Sequence, residues 1–196
     1  MSAQYIITRS LWRRDYEVST GGVHLYHVDN SYLTPGKPDL TCHAGPDSSA
    51  PVVGVCKYHH FSSDAEIGLG DPSKPGTMTW ERLNRDGLMS VQSSFRVMLE
   101  DRILHRFTWK RTHSRGTSLM DNLKLVCDRT GELIAVFSGR GGLLRRTSQL
   151  DIYPDYGERF QFMVLLTGLA LYEKLRRATS ATVSSVGAAG ASGGGA

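Results

Sequence analysis

The chain has 196 residues, of which 40% are hydrophobic and 21% charged. That is enough apolar mass for one packed domain; it is too little chain for two full ones, and the composition argues against wholesale disorder. A net charge of +4 admits an anionic partner without demanding one, and three cysteines (Cys42, Cys56, Cys127) with no CxxC spacing argue against a disulfide framework and for a reducing, intracellular compartment.

The first segment, MSAQYIITRSLWRRDYE, has no apolar run long enough for a secretory signal. Residues 1–20 read as a loosely held lead-in. From residue 23 to 150 the hydrophobic period is two. VHLYHVD (23–29) alternates Val23, Leu25 and His27 against His24, Tyr26 and Val28. The stretch 34–51 carries four prolines and two glycines and reads as a long loop inside one domain. VVGVCKYHHF follows, then AEIGLG and TMTWERL around the turn-forming GDPSKPG. FRVMLED places Phe95, Val97 and Leu99 on one face. ILHRFTWKRT places Ile103, Phe107 and Trp109 on one face and Arg106, Thr108 and Lys110 on the other. LKLVCDRTGELIAVFSG is a hairpin turning at Asp128-Arg129-Thr130-Gly131, with glycine where positive φ is needed. LLRRTSQLDIY adds a last strand. Eight to ten short strands with regular turns, counted this way, predict an antiparallel barrel or sandwich.

The pattern then changes. Pro154 to Glu158 stops the last strand, and Asp155 with Glu158 has the spacing of an approximate capping box. Lys174, Arg176 and Arg177 stand where cations suit the C-terminal end of a helix. The expected helix covers about 156–177. The residues after it, 178–196, are uncharged, small and low in complexity, and read as a disordered tail.

The uncharged run within that helix, Phe160 to Tyr172, is 13 residues. At 1.5 Å per residue it spans about 20 Å, short of the roughly 30 Å hydrocarbon core, so no transmembrane span is expected. It is apolar on every side: Phe160, Met163, Val164, Leu171 and Leu175 lie along one side, Phe162, Leu165, Leu166, Leu169 and Tyr172 fill the others, and Gly168 admits close neighbours. A helix apolar all round is buried all round. In a chain of this size a sheet curled around the helix can do that. The expected fold is therefore mainly β: a closed antiparallel barrel over residues 21–177 surrounding a hydrophobic C-terminal helix, with Phe162, Val164, Leu166, Gly168 and Leu169 as its central residues.

This arrangement resembles the tubby C-terminal fold, whose superfamily includes LURP-one-related proteins and phospholipid scramblases. The closing stretch LDIYPDYGERFQFMVLLTGLALYEKLRR, the hairpin LKLVCDRTGELIAVFS and the SFRV segment with the tryptophan strand after it are most similar to a fungal group related to that fold. The resemblance covers about residues 23–177. It implies the barrel fold and, for function, phosphoinositide binding or action at membranes. The tubby headgroup residues have no position-by-position counterpart here, and scramblase-type calcium and palmitoylation motifs are not recognisable.

Two basic runs give that implication a place to act. Arg102, Arg106, Lys110, Arg111 and Arg115 follow one another without an acid, and Arg140, Arg145 and Arg146 follow the hairpin. Arg106, Lys110, Arg140, Arg145 and Arg146 are the candidate contacts for an anionic phospholipid or phosphoinositide, at roughly 1 kcal/mol per cation. An ordinary solvated face is the competing explanation. GRGG (139–142) lacks a following helix and reads as a glycine-rich turn instead of a phosphate loop. Cys42, His43, Cys56, His59 and His60 match no zinc spacing, since adjacent His59 and His60 point to opposite faces. No metal or cofactor is assigned, and Cys127 reads as a small core residue. No GxSxG is present and no histidine has a partner recognisable in sequence, so no catalytic residues are assigned. Exposed aromatic platforms for nucleic acid are not evident.

The sequence thus supports a non-enzymatic, tubby-like domain, cytoplasmic or peripheral at a membrane, that binds anionic phospholipid through its outer basic face. The alternatives are a protein-interaction scaffold without a lipid role and a scramblase-like membrane protein.

Overall fold

The computed structural model describes residues 2–10, 13–31, 34–59, 64–86, 92–112, 122–139 and 147–189, with side chains to 180. Among the described residues twelve strands form the wall: β1 (Ala3–Arg9), β2 (Tyr16–Thr20), β3 (Val23–Asn30), β4 (Leu40–His43), β5 (Val52–Tyr58), β6 (Ala65–Leu69), β7 (Thr79–Arg85), β8 (Ser93–Met98), β9 (Leu104–Arg111), β10 (Leu123–Cys127), β11 (Leu133–Gly139) and β12 (Thr147–Ile152). Each strand pairs antiparallel with its neighbours in the chain, and β1 pairs with β12 to close the barrel. Closure leaves no sheet edge to be protected.

Inward positions alternate with outward ones and carry the core. Tyr5 and Ile7, Tyr16 and Val18, Phe107 and Trp109, Leu123 and Leu125, and Leu150 and Ile152 are all buried. Through the middle runs α1 (Glu158–Ala189). Phe160 and the run Met163–Ala170 are buried, Thr167 and Gly168 included. The helix touches wall strands on all sides. Tyr26 of β3 packs on Phe162 with ring centroids 5.1 Å apart, Phe107 of β9 on Phe160 at 5.0 Å, and Phe137 of β11 on Tyr172 at 5.1 Å. The expected closed barrel around an apolar helix is therefore the observed one.

Four details differ from the sequence reading. The first twenty residues are not a lead-in: β1 and β2 are wall strands, and β1 supplies the closing seam. The charges between them hid the alternation of Tyr5, Ile7, Tyr16 and Val18. The proline-rich stretch 34–51 contains β4, whose Leu40 and Cys42 are fully buried. The helix begins later than the expected box implies. Gly157, at φ 83°, accepts the first helical bond from the Gln161 amide, so Asp155 is outside the helix. Finally, α1 continues past Arg177 to Ala189. Residues 178–189 of the expected tail are helical, and Arg176 and Arg177 are mid-helix residues that pair with Glu173 instead of capping carbonyls.

Candidate functional site

The buried helix occupies the middle of the barrel, so function is sought on its outside and at its ends. The sequence pointed to the outer face of β8–β10. Register places Arg96 opposite Arg106 and Lys110 opposite Lys124 across these strands. Both pairs point outward, on the parity opposite Phe95, Phe107 and Leu125. Like charges directly opposite each other on a sheet are destabilising unless an anion joins them.

Arg106 already has its anions. Its Nη2 donates to Asp86 Oδ1 at 2.7 Å and to Ser94 Oγ at 3.0 Å, and its Nε lies 3.3 Å from Asp128 Oδ2. Asp128 also accepts from Thr108 Oγ1 at 2.8 Å. Arg106 is thus a brace between β7, β9 and the β10–β11 turn as much as a surface cation. Lys110, Lys124 and Arg96 have no carboxylate partner among the described residues. Arg140, Arg145 and Arg146 lie outside the described residues.

Sequence reasoning missed what stands at the end of this face. The outward residues of the β8–β9 hairpin turn from basic to apolar at its tip. Met98 and Leu104 are directly opposed and 63% and 54% exposed, and Ile103 beside them is 44% exposed. The tip is a tight turn: the Arg102 amide donates to Leu99 O at 3.0 Å, and Arg102 takes φ 58°. Strand alternation should put polar side chains at Met98 and Leu104. Apolar residues on both parities at one hairpin tip were the available signal. The tip is flanked by Arg96 and Arg102, with Glu100 as the one carboxylate there that shows no cation partner among the described residues.

The opposite end of the barrel is closed by a polar lock. Glu173 is fully buried. It accepts from Arg176 Nε at 2.6 Å, Arg177 Nε at 2.8 Å, Asn30 Nδ2 at 3.0 Å and the Tyr16 hydroxyl. Arg177 reaches on to Asp39 Oδ1 at 2.8 Å and lies over the Tyr58 ring at 4.9 Å. The Tyr58 hydroxyl donates to Ala170 O at 2.7 Å. Burial pushes the Glu173 carboxyl up, but these donors outweigh it and hold the group at about 2. This cluster ties α1 to β2, β3 and β5.

The histidines and cysteines weighed for zinc are dispersed. Cys42 and Cys56 face the barrel interior, and burial pushes both thiols up. His43 points outward, and His60 lies outside the described residues. A different trio, Asp15, His27 and Asp29, brings ligand atoms within 4.8 Å of one another. There Asp29 is already engaged by His27 Nε2 at 3.0 Å and His43 Nε2 at 3.2 Å, which satisfies its carboxylate without an ion.

Comparison of the chain with protein-family models, with curated proteins and with solved structures finds no match. Among the described residues no helix is long and apolar enough to cross a membrane.

Proposed function

We propose that the protein docks peripherally on anionic phospholipid through the β8–β9 hairpin tip and the outer face of β8–β10. The observation that carries this reading is the exposed Met98–Leu104 pair with the cation of Arg96 behind it on the same outer face. An apolar tip that enters the acyl boundary and a cationic collar at headgroup height is how a peripheral domain uses both halves of a bilayer surface. Burying an aliphatic side chain of this size contributes about 1.5–3 kcal/mol, and a cation near an anionic surface about 1 kcal/mol. Met98, Ile103 and Leu104 together therefore outweigh the modest charge. Lys110 and Lys124 extend the positive face along the same wall. The likeness of the sequence to tubby-like domains points the same way. The apolar section of α1 is enclosed by the barrel, so a scramblase-like insertion of this helix has no support in the geometry.

Cosedimentation of the full chain with phosphatidylcholine vesicles, alone or containing phosphatidylserine or a phosphoinositide, tests the reading. Binding is expected on the anionic vesicles and weakens with salt without vanishing. Met98→Glu with Leu104→Glu should abolish it, and Lys110→Glu with Lys124→Glu should weaken it severalfold and remove the salt dependence. Vesicle binding unchanged by the tip substitutions would overturn the proposal. Indifference of the wild type to every vesicle would assign the same patch to a protein partner.

A further inference from the structure

A cleft of about 290 Å³ opens at the end of the barrel where α1 begins. Leu99, Phe107 and Tyr156 give it apolar walls. Three separate segments bring chemistry into it: Asp101 from the β8–β9 turn, His105 from β9 and Cys127 from the end of β10. Asp101 Oδ2 and His105 Nε2 are 2.7 Å apart, and the Asp101 carboxylate is held by the Ile103 amide at 3.0 Å. The imidazole and the Cys127 thiol line the same cleft.

The hairpin backbone is folded around the sulfur. The Cys127 amide donates to Glu132 O at 3.0 Å, and its carbonyl accepts from Gly131 N at 2.8 Å. This turn places Arg129 and Thr130 beside Cys127 in the lining of the cleft. Burial pushes the Cys127 thiol up, but the donors from Thr130, His105 and Arg129 outweigh it, and the net shift is downward. The bond to Asp101 raises His105 in turn. Cys42 and Cys56 have burial without this set of donors, and their thiols are shifted the other way.

We propose that Cys127 is a nucleophilic thiol, with His105 as its base and Asp101 as the residue that orients His105, and that it accepts an acyl group from a small ester. The arrangement of nucleophile, base and orienting acid is the one covalent acyl transfer requires. The thiol proton passes to His105 and the sulfur attacks the ester carbonyl carbon. The tetrahedral adduct collapses with cleavage of the C–O bond, and His105 returns the proton to the leaving alkoxide, giving an alcohol and a Cys127 thioester. Water, deprotonated by His105, then attacks the thioester, releasing a carboxylic acid and restoring the thiol. No oxidant or metal enters the balance. The cleft volume is at the low end of the roughly 300–1,000 Å³ of ligand pockets, which favours a short acyl chain. The proposal stands apart from membrane docking, because it can be tested on a soluble ester without vesicles.

The experiment uses the folded full chain. Iodoacetamide at about pH 7 followed by peptide mapping should label Cys127 at least about tenfold faster than an unstructured cysteine peptide, and leave Cys42 and Cys56 unlabelled. With p-nitrophenyl acetate, one p-nitrophenol per chain should be released in a burst, with one acetyl group mapped to Cys127. Cys127→Ser should lose the burst, and His105→Ala should slow it at least about tenfold while its thermal melt stays cooperative. The wild-type mapping needs no variant to fold. Absence of an acetyl adduct on Cys127, even with a readily alkylated thiol, overturns the proposal, as does a burst that survives Cys127→Ser.

Discussion

Gly54 of β5 lies directly against Leu166 of α1: a Cβ on residue 54 would stand 2.6 Å from Leu166 Cδ1 and 3.0 Å from Phe162 Cε1. Leu166 is fully buried. The missing side chain is what lets the wall approach the helix axis here. Gly54→Ala should cost about 1–3 kcal/mol, the range for overpacking a filled core. Gly168→Ala, on the other side of the helix, meets Phe137 at 3.1 Å and Trp109 at 3.2 Å, and should cost less. Urea midpoints of the two variants would check the order; a Gly54→Ala variant as stable as wild type would mean that the barrel is looser around α1 than described.

Arg106 is a poor probe of lipid binding, for a structural reason. Replacing it with glutamate removes the cation between Asp86 and Asp128 and places a third carboxylate beside them. Arg106→Ala should cost no more than about 1 kcal/mol, because the pair is partly exposed. Arg106→Glu should be the less stable of the two by a margin that shrinks with added salt. Equal thermal midpoints for the two variants at low salt would show that the two aspartates do not depend on this arginine.

The fold was legible where a single periodicity decided it. The alternation of Phe107 and Trp109 and the all-round apolar surface of Phe160–Tyr172 together required a wall around a helix. Strands β1 and β4 were not legible because β4 is only four residues long inside a proline-rich stretch and β1 is followed by charged residues, and their burial comes from neighbours far away in sequence. The surface chemistry was harder still. The run from Arg102 to Arg115 contains no acid, yet Asp86 and Asp128 reach Arg106 from other strands. Asp101, His105 and Cys127 are separated by up to 26 positions in the sequence, and only the β8–β9–β10 register brings them to one cleft. Glu173 directly follows the uncharged run of the helix, and the four groups that satisfy it come from β2, β3 and the next turn of α1.

Inside the barrel, the Trp109 indole donates from Nε1 to Thr167 Oγ1 at 3.0 Å, and the Thr167 hydroxyl donates in turn to a backbone carbonyl of its own helix, Met163 O at 2.9 Å. Both residues are solvent-free. Thr167→Val keeps the shape and removes the acceptor, leaving a buried N–H without a partner, at a cost of about 1–3 kcal/mol. Thr167→Ser should keep the acceptor and most of the stability. If the Thr167→Val and Thr167→Ser variants unfold at the same denaturant concentration, the hydrogen bond does not contribute and the loss is one of packing.

The Glu173 lock makes stability depend on pH with a definite sign. Its carboxyl titrates at about 2 in the folded chain against an ordinary value of 4.5. The folded state therefore prefers the ionised form, and the contribution is complete above about pH 4.5 and is lost as the pH falls from there towards about 2. The size is roughly 3 kcal/mol, from about 1.36 kcal/mol for each unit of difference. Glu173→Gln cannot ionise, and it leaves Arg176 and Arg177 facing a neutral amide. At about pH 7 the variant should be less stable than wild type by several kcal/mol, as expected when one partner of a buried ion pair is removed. The gap should narrow steadily between about pH 5 and about pH 2 as the wild type protonates. Urea unfolding of both proteins across that range decides the matter, since a gap independent of pH would place the stabilising effect of Glu173 in its shape and not in its charge.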